Sequence, residues 1–317
     1  MNLLEWHRHT WQNRLHTALI LAFMLGFLAL LGYIVWGGEG LWQLLLIGGI
    51  FTLINPAASP QFVLRLYGAQ PLRAYEAPLL FDTITELAQR AHLPAVPSLY
   101  ILPSQVINSF TVGTRRAPVI ALSDGMLRAL DLREMFAVLA HEISHISNND
   151  IRVMALADLL SRLTNALSLI GQFLLLLNLP LLMLSEVSIS WLTIALLIFA
   201  PHLALIAQFG LSRTREFNAD MNAAYLTGDP EGMALALMKI EQIHQSFFER
   251  LMLPGWKVPG PSWLRTHPPT EERVQRLMHL KALAPASPMH PGGTLAGDFD
   301  RPSIARRPRY HLNGLWY

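Results

Sequence analysis

The sequence contains no cysteine and few charged residues. None of its 317 residues is cysteine, and charged residues make up 15% of the chain while hydrophobic residues make up 52%. Without cysteine there can be no disulfide framework, no thiolate metal site and no cysteine nucleophile, so any metal site must use nitrogen and oxygen ligands. Soluble chains carry about 25% charged residues. The shortage of charge therefore indicates a membrane protein.

The balance of charge does not indicate a nucleic-acid partner. The formal net charge is only +2, and the arginines are dispersed except for Arg306, Arg307 and Arg309 near the end of the chain. A nucleic-acid surface normally needs a clustered basic patch. We interpret these arginines as charges that flank membrane segments and mark the tail, and we expect no binding to nucleic acid.

Four apolar runs predict four transmembrane helices that form two hairpins. The first hairpin covers residues 17–60 and the second covers residues 163–210. A run of about 20 apolar residues is long enough to cross the ~30 Å hydrocarbon core of a bilayer. The second run is the weakest, because Asn55, Pro56 and Pro60 interrupt it. For the second hairpin the alternative is a pair of buried helices in a soluble α-helical domain.

The charges at the ends of these runs predict their orientation. Arg8 and Arg14 precede the first hairpin, Arg65 and Arg73 follow it, and the turn between its helices carries only Glu39. Cytoplasmic flanks of membrane helices carry the excess of positive charge. We therefore expect the N-terminus, the C-terminus and the active site to lie on the cytoplasmic side.

The motif that points most directly to chemistry is HEISH at residues 141–145, within a run from Asp131 to Ile146 that predicts one amphipathic helix. Asp131 suits the N-cap, and Glu134 three residues later completes a capping box. Two histidines four residues apart share a helical face and can bind one metal ion, while Glu142 can act on a water molecule bound to that metal. The alternative is a pair of surface histidines beside a solvated glutamate.

A catalytic zinc site has three protein ligands and an open position for water, so two histidines need a third donor. Glu216 is the best candidate, because Asp220 follows at i+4 on the same helical face. One carboxylate can then bind the metal while the other accepts the second ring N–H of a ligand histidine. The same spacing also fits a plain surface acid pair near Arg213 and Arg215.

The segments outside the hairpins predict a metalloprotease domain in two parts. Residues 61–162 form the first part, with the HEISH helix and a small β-sheet, and residues 211–283 form the second part, with the third ligand. We expect residues 1–16 to form an N-terminal cytoplasmic segment and residues 284–317, which are rich in Pro and Arg, to form a flexible tail. The sheet is predicted from three short β-prone runs, Ser98–Leu102, Asn108–Val112 and Val119–Leu122.

Three blocks of the sequence resemble the HtpX-type membrane zinc metallopeptidases, which are relatives of the CaaX prenyl endopeptidases. The blocks are HEISH preceded by ALSDGML and LREMFAVLA, SRTREFNAD after an apolar hairpin, and THPPTEERVQRL near the end. The resemblance covers about Leu79 to Leu283. It implies a mainly α-helical membrane protein whose protease domain is α+β and zincin-like, with a small sheet.

This resemblance also implies the metal ligands. It places one Zn²⁺ per chain between His141, His145 and Glu216. The resemblance further implies that Glu142 is the general base and that Asp220 holds a ligand histidine in place.

Two further regions receive a role from the resemblance. The strand that contains Asn108, Ser109 and Phe110 has Asn-Ser-Phe where the family often has Asn-Ala-Phe, and is expected beside the substrate. His267 is expected to approach the reacting carbonyl and stabilise its developing charge. For His267 the alternative is a loop residue that precedes a helix.

These features predict an integral-membrane zinc endopeptidase of the bacterial inner membrane. Its substrates would be polypeptides, and the resemblance implies quality control of misfolded membrane proteins. The alternatives are a non-proteolytic scaffold or chaperone and a zinc-binding or zinc-transporting membrane protein of the same fold. Glu142 argues against a scaffold, since a scaffold does not need a general base. A transporter would carry several ionisable residues in its spans, where this chain has only His202.

Overall fold

The computed structural model describes residues 3–54, 59–184, 191–251 and 269–281. These residues form two compact units. The first unit contains the described residues of Met1–Thr10, Ala57–Ile151 and Arg215–Tyr317, and the second contains those of Trp11–Pro56 and Arg152–Thr214. His267 and the tail at residues 284–317 lie outside the described residues.

The described part of the chain is mainly α-helical, as the sequence predicts. Its helices are α1 Leu3–Trp36, α2 Gly40–Ile54, α3 Pro60–Leu66, α4 Pro78–Arg90, α5 Asp124–Ala129, α6 Leu132–Ser147, α7 Asp150–Leu184, α8 Trp191–Thr227, α9 Pro230–Leu251 and α10 Thr270–Lys281. Short 3₁₀ turns occupy Gly37–Glu39 and Ala74–Glu76.

Three helical segments in the described residues are long and apolar enough to cross a membrane. They are Trp11–Glu39, Asp150–Phe173 and Leu192–Thr227. The second predicted span forms α2, which has 15 residues. At 1.5 Å per residue α2 is about 22 Å long, which is less than the ~30 Å of the hydrocarbon core. Four spans are therefore not confirmed, and the described residues provide three.

The membrane helices extend beyond the predicted apolar runs. α7 begins at Asp150, and α8 runs without a break from Trp191 to Thr227, although Pro201 lies inside it. The apolar runs are shorter, since the predicted second hairpin covers only residues 163–210. The end of an apolar run marks a change of surroundings, and the backbone hydrogen bonds of a helix continue across that change. Consequently the segment with Glu216 and Asp220 belongs to the same helix as the apolar run before it.

The second unit has its own apolar core. Gly171 allows α7 and α8 to approach closely, because a Cβ atom there would lie 2.6 Å from Leu197 Cβ. The hydroxyl of Ser161 donates to Gln208 Oε1 across the same pair of helices at 2.8 Å. The fully buried members of this core are Leu31, Ala157, Ala200 and Leu211.

The first unit contains a four-stranded sheet in the order β1-β2-β4-β3. Its strands are β1 Gln70–Pro71, β2 Ser98–Leu102, β3 Ser109–Thr114 and β4 Ala117–Ser123. β2 and β4 are parallel, while β3 pairs antiparallel with β4. The small predicted sheet is thus present, with β3 at one edge.

Helix α6 lies at the centre of the first unit. Asp131 Oδ1 accepts from Glu134 N, and Asp131 N donates to Glu134 Oε2, both at 2.8 Å, which is the predicted capping box. The side chains of Met135, Leu139 and Ile143 on this helix are completely buried. α6 packs against α4, α9 and β3, so that its apolar face fixes the HEISH residues next to the sheet.

Candidate metal centre

Two histidines of α6 and a glutamate of α8 converge in the first unit. His141 and His145 lie one turn apart, with their Nε2 atoms 3.1 Å from each other. Glu216 Oε2 lies 3.5 Å from His141 Nε2, and Glu216 Oε1 lies 3.6 Å from His145 Nε2. These three residues could hold a metal ion.

Their spacing fits a tetrahedral metal ion. Ligand atoms at about 2.0–2.1 Å from zinc in a tetrahedral site lie about 3.4 Å from each other. The three donor distances of 3.1, 3.5 and 3.6 Å are centred on that value. Moreover, His141 is 8% exposed and Glu216 is 5% exposed. The alternatives of surface histidines and a surface acid pair therefore do not describe this cluster.

The opposite nitrogen of each histidine faces a carboxylate. His141 Nδ1 lies 3.0 Å from Asp220 Oδ1, and His145 Nδ1 lies 2.8 Å from Asp150 Oδ2. A carboxylate can only accept, so these contacts favour the tautomer with the proton on each Nδ1 and a lone pair on each Nε2. The two lone pairs then face each other at 3.1 Å. That arrangement is repulsive unless a cation lies between them.

Among the described residues, the buried charged groups around the histidines carry more negative than positive charge. Four buried carboxylates belong to Glu142, Asp150, Glu216 and Asp220, and two buried guanidinium groups belong to Arg215 and Arg273. Buried charges are costly unless they are compensated. The excess of two negative charges is the charge that a divalent metal ion neutralises.

The pKa of the histidines responds to the same excess of negative charge. Burial opposes protonation of His141, but hydrogen bonds to Asp220 and Glu216 outweigh burial and raise its pKa to about 10. Burial likewise opposes protonation of His145, and Asp150 still raises its pKa. Without a metal ion the site would attract a proton, which shows its preference for positive charge.

Asp150 was not predicted to take part in this site. α6 ends at Ser147, and Asn149 adopts the left-handed conformation with a φ of 57°, which asparagine tolerates better than most residues. This turn returns the chain so that Asp150, the first residue of α7, reaches His145. Arg215 donates to the other oxygen of Asp150 at 2.9 Å. An acidic residue directly after an asparagine turn was the available sequence signal.

Arg273 of α10 was also missed. Its Nε and Nη2 atoms donate to the two oxygens of Asp220, both at 2.6 Å, and its Nη2 lies 3.2 Å from Glu216 Oε2. Burial opposes its charge, but the carboxylate of Asp220 raises its pKa. One turn later, the guanidinium of Arg276 lies 3.7 Å from the centre of the Phe217 ring. Both arginines thus attach α10 to the part of α8 that carries the site.

The carboxylate of Glu142 is held by β3. Ser109 Oγ donates to Glu142 Oε1 at 2.6 Å, and Thr111 Oγ1 donates to Glu142 Oε2 at 2.5 Å. Ser109 is one of the residues expected beside the substrate, whereas Thr111 was not predicted. Two hydroxyls at alternating positions of a predicted strand, which share one face, were the available signal.

Of the two other residues predicted beside the substrate, Phe110 lies on β3 and Asn108 directly before it, and their described contacts are to groups other than Glu142. The ring of Phe110 packs against Tyr67 with 5.0 Å between ring centres, on the opposite face of β3. Asn108 is exposed just before β3, and its carbonyl accepts from Ser123 N. His267 is outside the described residues. The roles of these three residues stay predictions.

Comparison with known proteins supplies the family. The family model of Peptidase family M48 matches residues 75–281, which is more than half of the chain.

The chain belongs to peptidase family M48.

The relatives of this M48 peptidase agree over most of its length. The "Protease HtpX homolog" of Acaryochloris marina is 35% identical over 302 residues, which cover 85% of this chain and 95% of that protein. The "Protease HtpX homolog" of Gemmatimonas aurantiaca is 34% identical and covers 85% of this chain and 100% of that protein. The crystal structure of S. mikatae Ste24p aligns with a TM-score of 0.49 and 20% identity, over 84% of this chain and 66% of that chain.

The resemblance to HtpX-type metallopeptidases is therefore confirmed, and the chain is an integral-membrane metalloprotease. Its partners are polypeptide substrates and the lipid bilayer. The M48 match includes β3, α6 and α10, so both sides of the buried cluster lie within the peptidase family region.

Proposed function

We propose that this M48 peptidase is a zinc-dependent endopeptidase in which His141, His145 and Glu216 bind one Zn²⁺ and Glu142 is the general base. The observation that carries the proposal is the convergence of two histidine lone pairs and a carboxylate at 3.1–3.6 Å, within a site that has an excess of negative charge. Two imidazoles and one carboxylate are a common ligand set of catalytic zinc. The absence of cysteine leaves no softer ligand available.

The chain's own residues then divide the chemistry between them. Zinc, when bound, supplies Lewis-acid activation of water and of the scissile carbonyl at neutral pH. Glu142 accepts the proton of the attacking water and passes it to the leaving amine. Asp150 and Asp220 keep the Nδ1 protons on His145 and His141, which orients both rings.

The substrate is expected to bind along β3 as an extended strand. β3 is the edge strand of the described sheet, and an edge can accept a further strand through backbone hydrogen bonds. Asn108, Ser109 and Phe110 would then lie beside the substrate, and His267 would stabilise the developing charge. Backbone pairing is largely independent of sequence, which supports a role in the removal of misfolded membrane proteins.

The proposal includes four spans, a bacterial inner-membrane location and a cytoplasmic active site. Asp150 and Arg215 pair at 2.9 Å although they are 65 residues apart. The intervening segment therefore leaves and re-enters the protease domain at one point, so it would cross the membrane an even number of times. α2 would form the return of the first hairpin by locally thinning the bilayer.

The domain limits of the proposal follow from the same arrangement. The protease domain takes residues 61–162 and 211–283, and the two hairpins take residues 17–60 and 163–210. The terminal segments, residues 1–16 and 284–317, would then both lie in the cytoplasm. The catalytic unit would receive its two parts from the same side of the membrane.

The test of function compares Glu142→Gln with Glu216→Ala in the purified full chain. Glu142→Gln should keep one zinc per chain and lose about 10²–10⁴-fold in the rate of cleavage of dye-labelled casein, because only the base is removed. Glu216→Ala should lose the metal as well as the activity. Glu241→Gln, an exposed glutamate on α9, is the matched control. Wild-type cleavage by Glu142→Gln would refute the mechanism.

The test of topology uses the natural absence of cysteine. Single Glu39→Cys and Glu186→Cys variants in whole cells should react with a membrane-impermeant thiol reagent added outside the inner membrane. An Arg73→Cys variant should react only after the membrane is opened. If Glu39→Cys behaves like Arg73→Cys, the first hairpin does not span the bilayer.

A further inference from the structure

Two hydroxyl groups of β3 hold both oxygens of the Glu142 carboxylate. Ser109 donates to Oε1 at 2.6 Å and Thr111 donates to Oε2 at 2.5 Å. Glu142 is 6% exposed, so few water molecules can compete for the same oxygens. Because each oxygen has its own donor, the pair of contacts limits both the position and the rotation of the carboxylate.

The register of β3 defines which of its backbone groups are open. Ser123 N donates to the carbonyl of Asn108, so the backbone of Asn108 faces β4. The pairing continues without a bulge from Ser109↔Leu122 to Thr114↔Ala117. In an antiparallel pair the backbone groups of alternate residues point to the partner strand and away from it. The outward N–H and C=O groups therefore belong to Ser109, Thr111 and Gly113.

Ser109 and Thr111 can therefore make two separate kinds of contact. Their backbone groups face the outer edge of the described sheet, where an extended substrate would pair. The side chains of Ser109 and Thr111 reach the carboxylate of Glu142. Phe110, between them, turns its ring to Tyr67 on the other face. Consequently one strand would set the position of both the substrate backbone and the base.

We propose that Ser109 and Thr111 are positioning residues that fix the carboxylate of Glu142 relative to a substrate paired with β3. The inference rests on the proposed role of Glu142 as general base. It assigns the Ser109 hydroxyl to Glu142 and leaves its backbone for the substrate.

The experiment measures kcat and KM for cleavage of dye-labelled casein by the full-length protein loaded with zinc. Ser109→Ala and Thr111→Val should each lower kcat about 10-fold, and the double variant about 100-fold, since each loses one hydrogen bond to a charged group. KM should change less than about 2-fold, because the backbone groups that pair with the substrate remain. Ser109→Thr and Thr111→Ser should restore most of kcat.

Metal content and a matched control variant distinguish a loss of positioning from a general structural effect. Zinc per chain should be unchanged in the double variant, because neither hydroxyl touches a ligand. Thr83→Val is the control: Thr83 is a buried threonine of α4 that donates to Leu79 O at 2.7 Å, so it loses an equivalent hydroxyl contact. Its kcat should stay at the wild-type value. If Thr111→Val does not fold, Thr111→Ala and Ser109→Ala provide the same comparison.

The same substitutions in the Glu142→Gln variant distinguish a failure of this inference from a failure of the proposed function. If the hydroxyls act through Glu142, adding Ser109→Ala and Thr111→Val to Glu142→Gln should cause no further loss. A double variant with wild-type kcat would overturn the inference while an inactive Glu142→Gln leaves the function intact. An active Glu142→Gln would overturn both. A loss that appears in KM alone would assign the hydroxyls to the substrate and overturn the positioning role.

Discussion

Helices α6 and α8 both contribute to the candidate metal centre, but only α8 changes from exposed apolar side chains to buried acidic ones along its length. α6 has 16 residues, begins at an N-cap and buries an apolar face in the protease core. α8 has 37 residues, exposes apolar side chains such as Leu192 and Ile206 in its first part, and buries Glu216 and Asp220 in its last part. Polar groups are buried where each one has a partner. The surroundings of α8 therefore change along its length while its helical backbone continues.

The largest expected effect removes a ligand from either helix. His145→Ala on α6 and Glu216→Ala on α8 should both reduce bound zinc to background and abolish casein cleavage, because a three-ligand site retains little affinity with two. Zinc per chain is measured on the purified protein by atomic absorption. His202→Ala, in the apolar part of α8, is the control and should bind zinc normally. A Glu216→Ala protein that still binds one zinc per chain would contradict the prediction that both helices supply ligands.

The next largest effect is expected when Arg273 of α10 no longer compensates the charge of Asp220 on α8. Arg273→Ala should destabilise the protein by about 3–5 kcal/mol, because it leaves the buried carboxylate of Asp220 without its cation. Arg273→Lys should recover only part of this, since it cannot form the two parallel hydrogen bonds. The midpoint of denaturant unfolding reports the change. Arg276→Ala removes an exposed arginine from the same helix and should cost much less; an equal cost would contradict the prediction.

A smaller effect is expected from changing either of the two carboxylates that orient the histidines. Asp150→Asn and Asp220→Asn should each weaken zinc binding by about 10–100-fold, because the amide no longer fixes the proton on Nδ1. Competition with a chelator measures the affinity. Asp158→Asn, an exposed acid of α7 paired with Arg162, should leave it unchanged. Unequal losses would show which helix sets the ring geometry more strongly.

The smallest effect is expected from loss of the N-terminal cap of α6. Asp131→Ala removes the N-cap and half of the capping box, and should lower the free energy of unfolding by about 1 kcal/mol. Thermal unfolding in detergent measures the loss. Zinc content should stay at one per chain, since Asp131 lies far along the helix from the ligands. Asp82→Ala, an exposed acid within α4, should have a negligible effect; a similar loss there would assign the change to surface charge.

The features of the site that could be predicted are local in the sequence. The i, i+4 spacing of His141 and His145 and the capping box at Asp131 need only the geometry of one helix. Glu216 was selected because Asp220 follows one turn later, which again is a helical relation. The sheet followed from β-prone runs between prolines and glycines. Even the strand that contacts Glu142 was identified, although its hydroxyl contacts were not.

The features that could not be predicted join distant positions. Arg273 pairs with Asp220 across 53 residues, and Ser109 reaches Glu142 across 33 residues. Nothing in local periodicity specifies such partners, because each depends on how helices and sheet pack. The extent of α8 could not be predicted for a different reason. The end of an apolar run marks a change in the surroundings of a helix and not the end of the helix, and α8 continues beyond that run to Thr227.

The sequence by itself determined the nitrogen and oxygen donors of the candidate metal centre, the helix that carries its two histidines, three membrane-spanning segments and the membership of a peptidase family. These properties depend on residue identity and on helical spacing, which are local. Only the tertiary structure decided which carboxylate faces which histidine, that β3 holds the carboxylate of Glu142, and that Arg273 of α10 pairs with the buried Asp220. Buried charges need compensation at distances of about 3 Å. Only folding can bring those groups together from separate parts of the chain.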